Sequence, residues 1–134
     1  MVFFDVDYFA VLVAALSSFM LGGIWYSKYL FKQAWMEACG LTELDLKSAN
    51  PRWIFIGSFL FVFVAAFALA VFLGKDASIG QSVTTSFAIG LCWISGSLGL
   101  SCIFEQRPVK LFLINSSYYL LQFSLMGLIL SVWP

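Results

Sequence analysis

Long uncharged apolar runs alternate along this chain with short polar connectors. Four runs stand out, at about residues 6–26, 53–74, 82–104 and 111–133, and none carries Asp, Glu, Lys or Arg in its interior. Each is close to the ~20 residues a helix needs to cross the hydrocarbon core of a bilayer. The pattern predicts an all-α membrane protein: a single transmembrane domain over residues 1–134, with four transmembrane helices in an antiparallel bundle. The polar segment 28–51, between the first two runs, is long enough to hold structure of its own. Within it Leu30, Phe31, Ala34, Trp35 and Ala38 fall on one helical stripe, with Lys28, Lys32, Gln33 and Glu37 opposite. That spacing predicts a short amphipathic helix at the cytoplasmic interface, read as a membrane-surface anchor ahead of a partner-binding helix. Gly40 is placed to stop it. Thr42, with Asp45 three residues on, has the pattern of a capping box. Asn50-Pro51 reads as the N-cap and first residue of the next span.

The runs differ in kind. The last carries Asn115, Tyr118, Tyr119 and Gln122 at i, i+3, i+4 and i+7, which is one face of a helix. Hydrocarbon cannot solvate an amide, so this face is expected to look at protein, another subunit or a cavity. It is the candidate binding stripe. In the first run Ser18, Gly22 and Trp25 share a face with Ala15, and in the third Ser86, Gly90, Trp93 and Ser97 do. Small residues let helix backbones approach in lipid, so these are the candidate packing positions. The second run is dominated by Phe and Ala and should expose much of its surface to lipid. The expectation is that the first span packs on the third or fourth, with the second more peripheral. Trp25, Tyr26, Tyr29 and Trp53 near one boundary, and Phe3, Phe4, Tyr8 and Trp133 near the other, read as aromatic belts.

Charge orients the spans. Lys28, Lys32, Lys47 and Arg52 lie in the first connector, Arg107 and Lys110 in the third, and only Lys75 in the second. The positive-inside rule then puts the first and third connectors in the cytoplasm and both termini on the non-cytoplasmic side, in a bacterial inner (plasma) membrane. The leading residues of the first run carry Asp5 and Asp7 with no Lys or Arg, so it is expected to stay as a helix and not to be removed as a signal peptide. Lys28, Lys32, Arg52, Glu105, Arg107 and Lys110 gather near the inner leaflet as a cytoplasmic mouth or a lipid-headgroup surface. Of 134 residues 62% are hydrophobic and only 10% charged, far too few charges to cover a soluble surface. Seven basic and seven acidic residues cancel, so no nucleic-acid partner is expected.

Little in the sequence points to chemistry. Histidine is absent, which removes the commonest general base and metal ligand. The three cysteines, Cys39, Cys92 and Cys102, form no CxxC pair. No acid, base or lysine inside a span could activate the intramembrane serines, so no catalytic residue, metal or cofactor is assigned and the chain is read as a non-enzyme. Proton-coupled exchange lacks a titrating intramembrane group. What remains is a homo-oligomer surrounded by membrane lipid. It is either a pathway for a small solute or ion along the Asn115–Gln122 stripe, or a structural or lipid-binding accessory in which the same residues bond neighbouring helices.

Two stretches together carry a resemblance. GGIWYSKYLFKQAW at residues 22–35 resembles the Gly-x-x-Trp-Tyr-Ser…Phe-x-x-x-Trp signature of the DUF1761 membrane family, and FEQRPVKLFLIN at residues 104–115 resembles its second signature. The likeness spans nearly the whole chain and implies a four-helix membrane fold. Family members often continue Asn-Ala-Gly-Tyr-His where this chain has Asn115, Ser116, Ser117, Tyr118 and Tyr119, so a role needing an imidazole is not carried over. The family is a domain of unknown function, and the resemblance implies no activity.

Overall fold

The architecture is seen in a computed structural model that describes residues 5–134; Phe3 and Phe4, assigned to an aromatic belt, lie outside the described residues. Helix α1 covers Tyr8–Trp25. Its N-cap, Asp7, accepts hydrogen bonds from the amides of Phe9 and Ala10 at 3.0 and 3.2 Å, satisfying two of the donors that a helix start leaves open. Two short helices follow in the first connector. Helix α2, Lys32–Cys39, stops at Gly40, whose φ of 72° is the left-handed geometry that a side chain resists. Helix α3, Glu43–Ser48, opens with a complete capping box: Thr42 Oγ1 accepts from the Asp45 amide, and Asp45 accepts from the Thr42 amide.

Helix α4, Pro51–Leu73, starts where Asn50 accepts from the Arg52 amide and proline occupies the first turn. The third span comprises α5 (Ile79–Ala88), a π-helical segment (Ile89–Ile94) and α6 (Ser95–Glu105), with Ser78 and Gln81 forming a capping box at its start. Helix α7, Val109–Val132, follows a turn in which Gln106 takes a left-handed φ of 58°. Four helical stretches, Tyr8–Trp25, Pro51–Leu73, Ile79–Phe104 and Val109–Val132, are long and apolar enough to cross a membrane.

The hub is α7, which touches α1, α2, α4 and every part of the third span. Small residues permit this. A methyl group on Gly90 would sit 3.2 Å from the Leu120 Cα and from the Tyr119 carbonyl oxygen, and one on Gly127 would meet the Ser86 side chain and the Ser82 carbonyl. On the other side α1 lies between α4 and α7, and Val11, Ala14, Ala15, Ala66, Leu69, Phe123 and Met126 form the apolar core. Phe9 tilts against Trp133 at one end, while Trp25 meets Ile114 at the other, so α1 and α7 run in opposite directions.

Two packing expectations need correction. The first span packs on the second as well as the fourth and makes no substantial contact with the third, because Ala14 and Ala15 present a flat surface to Ala66 and Leu69 of α4. The outer face of α4 is still open, with Trp53, Phe55, Ile56 and Phe61 exposed. Trp93 and Ser97 are not packing residues: both are exposed, Trp93 by 66%. The π segment is the physical reason. It inserts one residue into the turn, so the buried face passes from Ser82, Ser86 and Gly90 to Ser95, five residues on, and Trp93 rotates outward. Ser95 Oγ donates to the Gly90 carbonyl at 2.8 Å across that wide turn.

Candidate functional site

The polar stripe of α7 meets α1 and the first connector. Tyr118 is 8% exposed and Gln122 3%, while Asn115 and Tyr119 are half-buried. Tyr26, just past the end of α1, donates its hydroxyl proton to Asn115 Oδ1 at 2.7 Å. Tyr118 donates to the Ser18 carbonyl at 3.2 Å, and Trp25 Nε1 donates to the Ile114 carbonyl at 3.0 Å. Gly22 makes the Tyr118 bond possible, since a Cβ there would stand 2.9 Å from the Tyr118 hydroxyl. The rings interlock as well. Tyr26 sits edge-on to Tyr118 at 5.4 Å and to Trp35 at 5.7 Å, and Tyr118 tilts against Tyr119 at 5.1 Å.

The connector helix α2 is part of this joint and packs on α7. Met36 is buried, Phe31 tilts against Trp25 at 4.7 Å, and Glu37 pairs with Lys110 of α7 at 3.8 Å. Burial pushes the Cys39 thiol above its ordinary range, with the Arg107 guanidinium pulling the other way, so this cysteine is a poor nucleophile near neutral pH. Asp45 of α3 is held below the usual carboxylate range by its hydrogen bonds from the Thr42 backbone and hydroxyl.

Some buried polar groups have no partner. Gln122 makes no side-chain hydrogen bond among the described residues, and the Ser18, Ser86 and Ser124 hydroxyls are buried without one. The charges assigned to the cytoplasmic mouth are largely spent on neighbours: Lys32 pairs with Glu43 at 3.4 Å and Arg107 with Glu105 at 3.6 Å. Lys28 lies over the Tyr29 ring, and Arg52 has no ion pair among the described residues. Such exposed pairs contribute little to stability. Among the packing candidates Ser18, Gly22, Trp25, Ser86 and Gly90 lie at helix contacts. No group of three or more acidic or cysteine side chains among the described residues is gathered closely enough to hold a metal ion.

At the opposite end of the bundle lies a cleft of about 270 Å³ that the sequence did not single out. It opens between the lead into α1, the end of α4, the start of α5 and the end of α7. Asp5 bridges it to Lys75 at 2.9 Å, and Ser82 and Trp133 line it. The hydrogen bond from Lys75 to Asp5 raises the lysine pKa. The available signal was the gathering of Asp5, Asp7 and Asp76 with a single lysine on connectors that meet at one end.

The family described as "Protein of unknown function (DUF1761)" matches residues 9–131. Neither the curated proteins nor the solved structures give a match. The chain belongs to the DUF1761 family, over nearly its whole length.

Proposed function

We propose that this DUF1761 chain is a non-catalytic accessory protein of the membrane, working through assembly in the bilayer, with the α7 stripe as its internal joint. One observation carries this reading: two of the stripe's four polar side chains bond inside the chain, Asn115 Oδ1 accepting from Tyr26 and Tyr118 donating to the Ser18 carbonyl. Polar side chains in spans commonly serve this purpose, each bond contributing about 1 kcal/mol or less. The positive-inside bias supports a bacterial inner-membrane location with α2 and α3 in the cytoplasm. The open apolar face of α4 fits contact with lipid or with further copies in a homo-oligomer.

A second reading has its own observation. Gln122 and the hydroxyls of Ser18, Ser86 and Ser124 are buried without partners, and such groups are often served by water, as along a hydrated pathway. Flux in proteoliposomes decides between them, measured with wild type and with Asn115→Leu/Gln122→Leu. The accessory reading expects no solute flux from wild type and a loss of stability in the variant. Flux of any small solute by wild type, abolished by the pair without loss of folding, overturns it.

A further inference from the structure

We propose that the cleft formed by Asp5, Asp7, Ser82 and Trp133 binds a small organic cation, an ammonium group carrying an apolar substituent. This site is separate from the α7 stripe and does not depend on its role. The cleft is about 270 Å³, just below the usual range of ligand pockets, which suits a small ligand. Its walls include Ala10, Ala70, Leu73 and Leu130, which suit an apolar substituent.

Its polar elements favour a positive charge. Asp5 and Asp7 line the cleft against Lys75, two carboxylate side chains to one ammonium among the described residues. Lys75 is already engaged by Asp5, so a positively charged ligand meets the Asp7 carboxylate, whose Oδ1 also caps α1 through the amides of Phe9 and Ala10, and competes with Lys75 for Asp5. Trp133, whose ring also tilts against Phe9, adds an indole to the lining, and an aromatic face attracts ammonium groups even at a partly exposed site. Ser82 supplies the independent observation. It is 1% exposed, it lines the cleft, and its hydroxyl has no hydrogen bond among the described residues, leaving a donor and acceptor open to an occupant.

An anion is disfavoured by the same geometry. It would have to take Lys75 from Asp5 and then face two carboxylates.

The test is calorimetric titration of the full chain, in nanodiscs of zwitterionic lipid, with benzyltrimethylammonium and in parallel with benzenesulfonate. Saturable binding of the cation alone is expected. Asp5→Asn and Trp133→Leu should each weaken it roughly three- to fivefold, the range for one partly exposed charge or cation–π contact. Asp7→Asn keeps a good helix cap while removing the charge, and should act like Asp5→Asn. Lys75→Gln removes the competing ammonium and should tighten binding roughly threefold. A gain in one variant and losses in the others cannot arise from general misfolding. The proposal is overturned if wild type shows no saturable binding of benzyltrimethylammonium, if benzenesulfonate binds equally well, or if Asp5→Asn and Lys75→Gln shift affinity in the same direction.

Discussion

Replacing Gly127 with alanine tests the packing of the hub directly. The added methyl would collide with Ser86 Oγ, lie 2.7 Å from Ser86 Cβ and 3.0 Å from the Ser82 carbonyl oxygen. Two carbons rest comfortably at about 3.5–4.0 Å, so α5 must retreat from α7 by about 1 Å. The carbonyl belongs to the α5 backbone, and a rotamer change at Ser86 cannot relieve it. Overpacking of this kind costs about 1–3 kcal/mol, or roughly a 5- to 150-fold fall in the folded-to-unfolded ratio. Reversible unfolding of the chain in bicelles, followed by far-ultraviolet circular dichroism or steric trapping, measures it. Ser86→Gly in the same chain removes the two closest atoms but leaves the Ser82 carbonyl at 3.0 Å, so Gly127→Ala/Ser86→Gly should be more stable than the sum of the two single losses. Gly57→Ala in α4 is the control, because nothing lies within 4 Å of a Cβ there and alanine favours a helix. If Gly127→Ala is as stable as Gly57→Ala, or Ser86→Gly gives no relief, the close approach of α5 to α7 is not real.

The remaining predictions concern the joint and the connector. Asn115→Leu and Tyr26→Phe should each destabilise by about 1 kcal/mol, and a double-mutant cycle should find them coupled, since both remove the same 2.7 Å bond; additive losses would mean that no such bond forms. Trp93→Leu should change stability by no more than about 0.5 kcal/mol because its ring lies outside the packed face, whereas Trp25→Leu, which loses the bond to the Ile114 carbonyl, should cost about 1 kcal/mol in the same assay. Asp45 has a folded-state pKa below its unfolded value, so its contribution to α3 is complete above the unfolded value of about 4 and disappears as pH falls through the lower folded one. Protection of the Glu43–Ser48 amides should therefore include that carboxylate's full contribution near neutral pH and lose it only in acid, and Asp45→Asn should remove the acid step.

The spans were legible because hydrocarbon imposes a composition. A helix in lipid must be about 20 residues long and free of charge, and the four runs satisfy that without reference to any partner. The stops and starts at Gly40, Thr42 and Asn50 were equally readable, since capping is settled within four residues of chain. Asn115 and Gln122 could be placed on one face by counting.

Which atoms meet that face depended on the fold. Tyr26 reaches Asn115 from 89 residues away, and the alignment of α1 with α7 that permits it is set by the absence of a side chain at Gly22. A count of 3.6 residues per turn put Trp93 and Ser97 beside Ser86, and one extra residue in the π turn moved them outward. The cleft at the far end is built from four elements, none of which is distinctive alone. Solvent preference acts on each residue separately and is written along the chain. Contact distances and helix register belong to pairs of segments, and they exist only once the backbones have been brought together.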